Sequence, residues 1–152
     1  MDFRFLYRQS DGRIGRSAFI RAAAPLIAIF AVVAGLMAVL GPFAHRGLDA
    51  RKLFDAPTLL ANLTLLAATF VFLLAAVSWV NLAAKRFRDR GRPGPVGLAG
   101  ALPFVLMVAG AAMWLQPRVA PDLPLWPFWT LVAAVALATL VELLDLSGAN
   151  RR

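Results

Sequence analysis

The 152-residue chain contains no cysteine and a single histidine, His45. The first absence excludes disulfides, thiolate metal sites and cysteine nucleophiles together. The second leaves one imidazole with no carboxylate cluster beside it, a poor metal ligand set. Ser17 and Ser78 have no base nearby, so no nucleophilic triad is visible. Carboxylates are scarce as well: eight acidic residues stand against sixteen lysines and arginines, for a formal net charge of +8. No metal, cofactor or catalytic residue is therefore assigned.

What the chain has in excess is apolar surface. Hydrophobic residues make up 61% of it and the mean hydropathy is +0.73, above the roughly 45–50% apolar usage of soluble domains. A soluble core of this size could not hide so much. The excess falls into four runs, at about 22–40, 59–80, 96–115 and 126–146. At 1.5 Å rise per residue, about twenty residues cross a hydrocarbon layer of roughly 30 Å. None of the runs carries a charge at mid-depth, and none shows the alternating polarity of a membrane β-strand. The chain is expected to be all-α, an integral membrane four-helix bundle in one domain (1–152), led by an interfacial segment at 1–21. The first run exceeds the roughly 7–15 residues of a signal core, which marks a retained span. Pro25 falls in its first turns, where a missing N–H costs little.

Charge orients the bundle. Arg4, Arg8, Arg13, Arg16 and Arg21 precede the first span, Lys85, Arg86, Arg88, Arg90 and Arg92 follow the second, and Arg151 and Arg152 end the chain. The other side has only Arg46, Arg51, Lys52 and Arg118, so twelve cations oppose four. By the positive-inside rule both termini are cytosolic. Trp114, Trp126 and Trp129 then fall at the outer interface and Trp79 near the inner one, as an aromatic belt requires. The same partition accounts for the pI of about 11.6 without nucleic acid, because topology and anionic inner-leaflet lipids already explain a one-sided basic face. No helix-turn-helix, zinc or stacking motif accompanies the charge.

Two cytosolic segments carry the remaining signal. Asp2-Phe3-Arg4-Phe5-Leu6-Tyr7-Arg8 alternates aromatic bodies with guanidinium groups, a pattern suited to the headgroup boundary. Asp11-Gly12 marks a turn, and Arg13 and Arg16 would share a face if the first helix has begun by then. Lys85-Arg86-Phe87-Arg88-Asp89-Arg90-Gly91-Arg92-Pro93-Gly94 surrounds one carboxylate with five cations. Arg13, Arg16, Lys85, Arg86, Arg88, Asp89, Arg90 and Arg92 thus form the candidate site, with two readings. In the first, Asp89 accepts hydrogen bonds from Arg86 or Arg90, or from Arg13 or Arg16 across the bundle, as a structural clasp. In the second, the glycines at 91, 94, 97 and 100 and a third helix opened by Pro95 offer free N–H groups to a phosphate, with Arg88, Arg90 and Arg92 completing the cradle. Glu142 and Asp145, near the cytosolic end of the last helix, are expected to partner the basic loops. Asn62, Thr64, Thr69, Thr130 and Thr139 are the mid-span polar groups, expected to bond neighbouring helices. With no ionisable residue at depth, transport by the monomer is not expected.

The stretch Gly12-Arg13, Arg16 and Phe19 before an apolar span, with the Lys85–Gly94 signature, resembles a family of small bacterial inner-membrane proteins called domain of unknown function 805. The resemblance covers nearly the whole chain, including Pro103 early in the third span, and implies the four-helix layout but no activity. Phe87 stands where the family usually has leucine, Arg88 where it has histidine, and Ile20 and Pro95 where it has tryptophans. Gly148-Ala149-Asn150-Arg151 only faintly resembles its closing motif.

Three readings of function follow. The first is a non-enzymatic inner-membrane protein whose arginine-rich cytosolic face meets anionic lipid headgroups or a protein partner, as a monomer or homo-oligomer. The second is an oligomeric channel or carrier. The third is a membrane enzyme acting on a lipid phosphate with Asp89 as base. They rank in that order.

Overall fold

A computed structural model describes residues 2–44, 55–91, 97–119, 122, 124 and 126–148, with only the backbone at Leu98, 113–119 and Ser147. Every regular element among the described residues is helical: a wide N-terminal turn at Arg4–Arg8, then α1 (Arg16–Ala44), α2 (Ala56–Asp89), α3 (Leu98–Val119) and α4 (Trp126–Ser147). Among the described residues, α1, α2 and α4 over Trp126–Leu146 are long and apolar enough to cross a membrane, while the apolar stretch described in α3 is Ala99–Ala112. α1 packs along α2, α2 along α3 and α3 along α4, with a lighter contact between α1 and α4.

Helix bounds differ from the apolar runs at the basic ends. α2 has 34 residues, about 50 Å at 1.5 Å each, well beyond a hydrocarbon core of roughly 30 Å. Lysine and arginine are good helix formers, so the helix does not stop where hydropathy does. Lys85 to Asp89, expected in a connecting loop, are its last turns. It ends at Gly91, whose φ of +70° provides the left-handed cap conformation. α1 likewise starts at Arg16, so Pro25 lies in its third turn rather than its first. There the proline withholds the N–H that would bond the carbonyl of Arg21.

The core sits at one end of the bundle, here called the polar end. Ile14, Phe19, Leu26 and Phe30 pack with Trp79, Leu82, Phe87, Ala99 and Leu146. The α1–α2 seam is built on small residues: Ala61, Ala68, Ala75 and then Leu82 recur every seventh residue on α2, with Ala76 and Ala83 beside them, all buried. Alanines let helix backbones approach closely where lipid tails remove the hydrophobic drive to associate. Phe30 contacts Phe72 and Trp79, with ring centroids 5.3 and 6.0 Å apart. Away from this end the helices show lipid-type surface: Leu59, Leu63, Leu66, Phe70, Leu131 and Leu137 are all exposed.

Two sequence expectations are corrected here. Trp79 is no interfacial anchor; it is 1% exposed, and its Nε1 donates to the Ala99 carbonyl at 2.7 Å, joining α2 to the start of α3. The hydroxyls of Thr64, Thr69, Thr130 and Thr139 bond carbonyls four residues back in their own helices, not neighbouring helices. The threonine Oγ reaches that carbonyl without any help from a partner. Only Asn62 in this group crosses to another helix, donating to Ala44 at 3.2 Å as well as to Thr58 at 2.9 Å. Trp126 and Trp129 are exposed at the start of α4; His45 and the side chain of Trp114 lie outside the described residues.

Candidate functional site

The last turns of α2 project cations in two directions, because successive residues on a helix are about 100° apart. Arg86 and Arg90, four apart, face α4. Lys85 and Arg88, three apart, face the N-terminal segment.

On the α4 side, Arg86 is fully buried. Its Nε donates to the Leu146 carbonyl at 2.7 Å, Nη2 to the Gly148 carbonyl at 2.8 Å, and Nη1 to the Asp89 carboxylate. Arg90 adds a hydrogen bond to the Asp145 carboxylate at 2.8 Å and others to the carbonyls of Asp145 and Gly148. The carbonyls at the end of α4 have no partner within their own helix and carry its negative dipole end. Two guanidinium groups from α2 therefore act as the missing C-cap of α4. A planar group with five donors suits this task, where a lysine would engage fewer acceptors.

On the other side, Lys85 is also buried. Its Nζ donates to the Phe5 carbonyl and, at 3.1 Å, to the Leu6 carbonyl, and lies 4.4 Å from the centre of the Phe5 ring. Arg88 donates to the Ser10 carbonyl, and its guanidinium is 3.8 Å from the exposed Asp11 carboxylate. Asn81 holds the Tyr7 carbonyl at 2.9 Å, and the Tyr7 hydroxyl donates to the Ala22 carbonyl at 3.0 Å. Burial pushes the Tyr7 phenol above its ordinary pKa, so it stays a neutral donor. The N-terminal turn itself closes by Gln9 N–H donating to Arg4 O at 3.1 Å, five residues back. Its approach to Gly12 is close: a Cβ there would lie 2.8 Å from the Phe5 ring, and φ is +97°.

The start of α3 is filled by the chain itself. The Glu142 carboxylate accepts from the Ala99 N–H, and a Cβ at Gly97 would lie 2.1 Å from its Oε1. Glycine at 97 makes room for this carboxylate, which meets the positive end of the helix dipole. At the helix start where free N–H groups for a phosphate were expected, the Ala99 N–H is taken by Glu142. Residues 92–96, with Arg92 and Pro95, lie outside the described residues.

Among the described residues, the seven candidates do not form a single site. Arg86, Asp89 and Arg90 join the end of α4; Lys85 and Arg88 join the N-terminal segment. Arg13 and Arg16 are exposed, and among the described residues neither reaches Asp89. Because α1 begins at Arg16, Arg13 precedes the helix and the two share no helical face. Sequence reasoning anticipated Asp145 and Glu142 as partners of the polar end but missed Tyr7, Asn81 and Trp79, which act through backbone carbonyls. Asn81 did leave a signal: an amide at the edge of an apolar run, four residues before Lys85 and so on its face.

No curated protein and no solved structure matches the chain. The family described as "Protein of unknown function (DUF805)" matches residues 7–151. With nearly all of its length covered, the chain belongs to the DUF805 family.

Proposed function

We propose that this is a four-span protein of the bacterial inner membrane with both termini in the cytosol, and that its exposed N-terminal arginines meet anionic lipid headgroups. The observation that carries this reading is the division of the cations. Lys85, Arg86, Arg88 and Arg90 are committed to backbone carbonyls and carboxylates of the same chain. Arg4, Arg8, Arg13, Arg16 and Arg21 are exposed at the end of the bundle where the apolar surface stops. Guanidinium groups at that depth find phosphate while their stems cover apolar surface. The commitment of Asp89 to Arg86 favours a structural over a catalytic role for that carboxylate, and ranks the enzyme reading below a lipid-contacting one.

The absence of cysteine makes the topology directly testable. Single substitutions Gln9→Cys and Asp122→Cys, treated in intact cells with an impermeant maleimide, should label only at residue 122. Labelling at residue 9 without lysis would reverse the orientation and place the exposed arginines on the wrong leaflet. Retention of phosphatidylglycerol over phosphatidylcholine by the purified protein, read by native mass spectrometry, tests the lipid contact. A co-purifying protein subunit with no lipid preference would instead favour a protein partner at the same face.

A further inference from the structure

Between the N-terminal turn and the beginning of α1 lies an open groove of about 300 Å³, lined by Leu6, Tyr7, Ala18, Arg21 and Ala22. This is the lower end of the roughly 300–1,000 Å³ range of small-molecule sites. Its wall is apolar and it offers one charged group. We propose that it binds one anionic phospholipid, with part of an acyl chain against Leu6, Ala18 and Ala22 and the headgroup phosphate at Arg21. The site rests on the reading above that the exposed arginines meet anionic headgroups, and assigns that contact to a particular residue.

Four features support the assignment. Arg21 immediately precedes Ala22, where the apolar run of α1 begins, so its guanidinium stands at the polar boundary of a bilayer. Its Nε donates to the Ser17 carbonyl at 3.3 Å, which lays the side chain along the helix and leaves its two Nη groups for a phosphate. Among the described residues no carboxylate forms an ion pair with it. The Tyr7 hydroxyl is engaged by the Ala22 carbonyl, so the phenol closes the wall and adds no negative charge.

The occupant follows from the shape and chemistry of the groove. A free phosphate would gain nothing from Leu6, Ala18 and Ala22. A partner helix would need a longer apolar face than five residues ending at a cation. A phospholipid places apolar and anionic parts next to each other at this depth, and the arginine geometry suits a phosphate diester.

The test uses the full-length protein in nanodiscs of equal phosphatidylglycerol and phosphatidylcholine, with retained lipid read by native mass spectrometry. The unaltered protein should retain phosphatidylglycerol preferentially. Arg21→Gln should lower that retention about fivefold, as expected for losing one cation near an anionic headgroup; Ala18→Phe should displace both lipids, and Arg13→Gln, outside the groove, should lower retention less than Arg21→Gln does. Arg21→Lys keeps the charge but not the paired N–H geometry and should lose less than Arg21→Gln, so it decides the matter beside Arg21→Gln if Ala18→Phe fails to fold. Unchanged retention by Arg21→Gln, or an equal loss in Arg21→Lys, overturns the site. An equal loss in Arg13→Gln also overturns it but leaves the general headgroup reading standing. No preference in the unaltered protein, and none lost when Arg8, Arg13, Arg16 and Arg21 are all changed to glutamine, removes both.

Discussion

The two basic regions of this chain have nearly the same composition and opposite fates. Around Lys85 to Arg90, cations turn inward: Lys85 and Arg86 are both fully buried. Around Arg4 to Arg21 they turn outward and all five arginines are exposed. The difference lies in what each segment is attached to. The first group rides on the end of a helix that faces the N-terminal turn and the end of α4, and its donors reach backbone carbonyls of both. The second belongs to the N-terminal turn and the start of α1, where the carbonyls of Phe5, Leu6, Tyr7 and Ser10 are already taken by Lys85, Asn81 and Arg88. A cation in a membrane protein can therefore be a topology signal, a lipid contact or an internal cap, and the count of free carbonyls around it separates the last from the others.

The sharpest way to break the comparison is Arg86→Met. It leaves the carbonyls of Leu146 and Gly148 and the Asp89 carboxylate without their buried donor, and should cost about 3–5 kcal/mol, as for a buried ion pair losing one member. Unfolding in mild detergent measures this, and a loss below about 1 kcal/mol would place Arg86 with ordinary surface groups. Lys85→Met should cost about 2 kcal/mol, the scale of hydrogen bonds from a charged donor. Its distinctive result is faster amide hydrogen exchange over residues 4–10 with little change in α4. If α4 exchanges faster instead, the division of the polar end into two halves is wrong.

Smaller effects refine the picture. Glu142→Gln keeps an acceptor near the Ala99 N–H but removes the charge facing the α3 dipole, and should cost about 0.3–1 kcal/mol. Gly97→Ala drives the carboxylate away while leaving it charged, so it should destabilise α3 more than Glu142→Gln does; the reverse order would show that Glu142 does not cap α3. Arg13→Gln and Arg16→Gln should each change stability by less than about 0.5 kcal/mol, with their effects confined to lipid retention.

Much of the helical layout was legible in the sequence, because uninterrupted apolar runs near bilayer length have few other solutions. The helix ends were not. Hydropathy falls at Lys85, yet helix propensity does not, so α2 continues to Asp89. Nor was the fate of the cations legible. Asp89, Glu142 and Asp145 stand out as carboxylates, but most of what the basic residues grip is main chain, at Phe5, Leu6, Ser10, Asp145, Leu146 and Gly148. A backbone carbonyl carries no residue signature, and only the fold reveals which ones are left over. Trp79 misled for a related reason: its indole N–H has the same use in a lipid headgroup layer as against Ala99, and its sequence position near a span end suits both.

The most direct test compares thermal unfolding of Arg86→Gln with that of the double variant Arg13→Gln, Arg16→Gln, each in phosphatidylglycerol and in phosphatidylcholine nanodiscs. If the two basic regions are a cap and a lipid face, Arg86→Gln unfolds at a lower temperature in both lipids by the same amount. The double variant then unfolds like the unaltered protein in phosphatidylcholine and loses only part of the extra stability that phosphatidylglycerol confers, since Arg21 keeps its site. An Arg86→Gln protein whose deficit appears only in phosphatidylglycerol would contradict the account, because the buried arginine would then be the lipid contact.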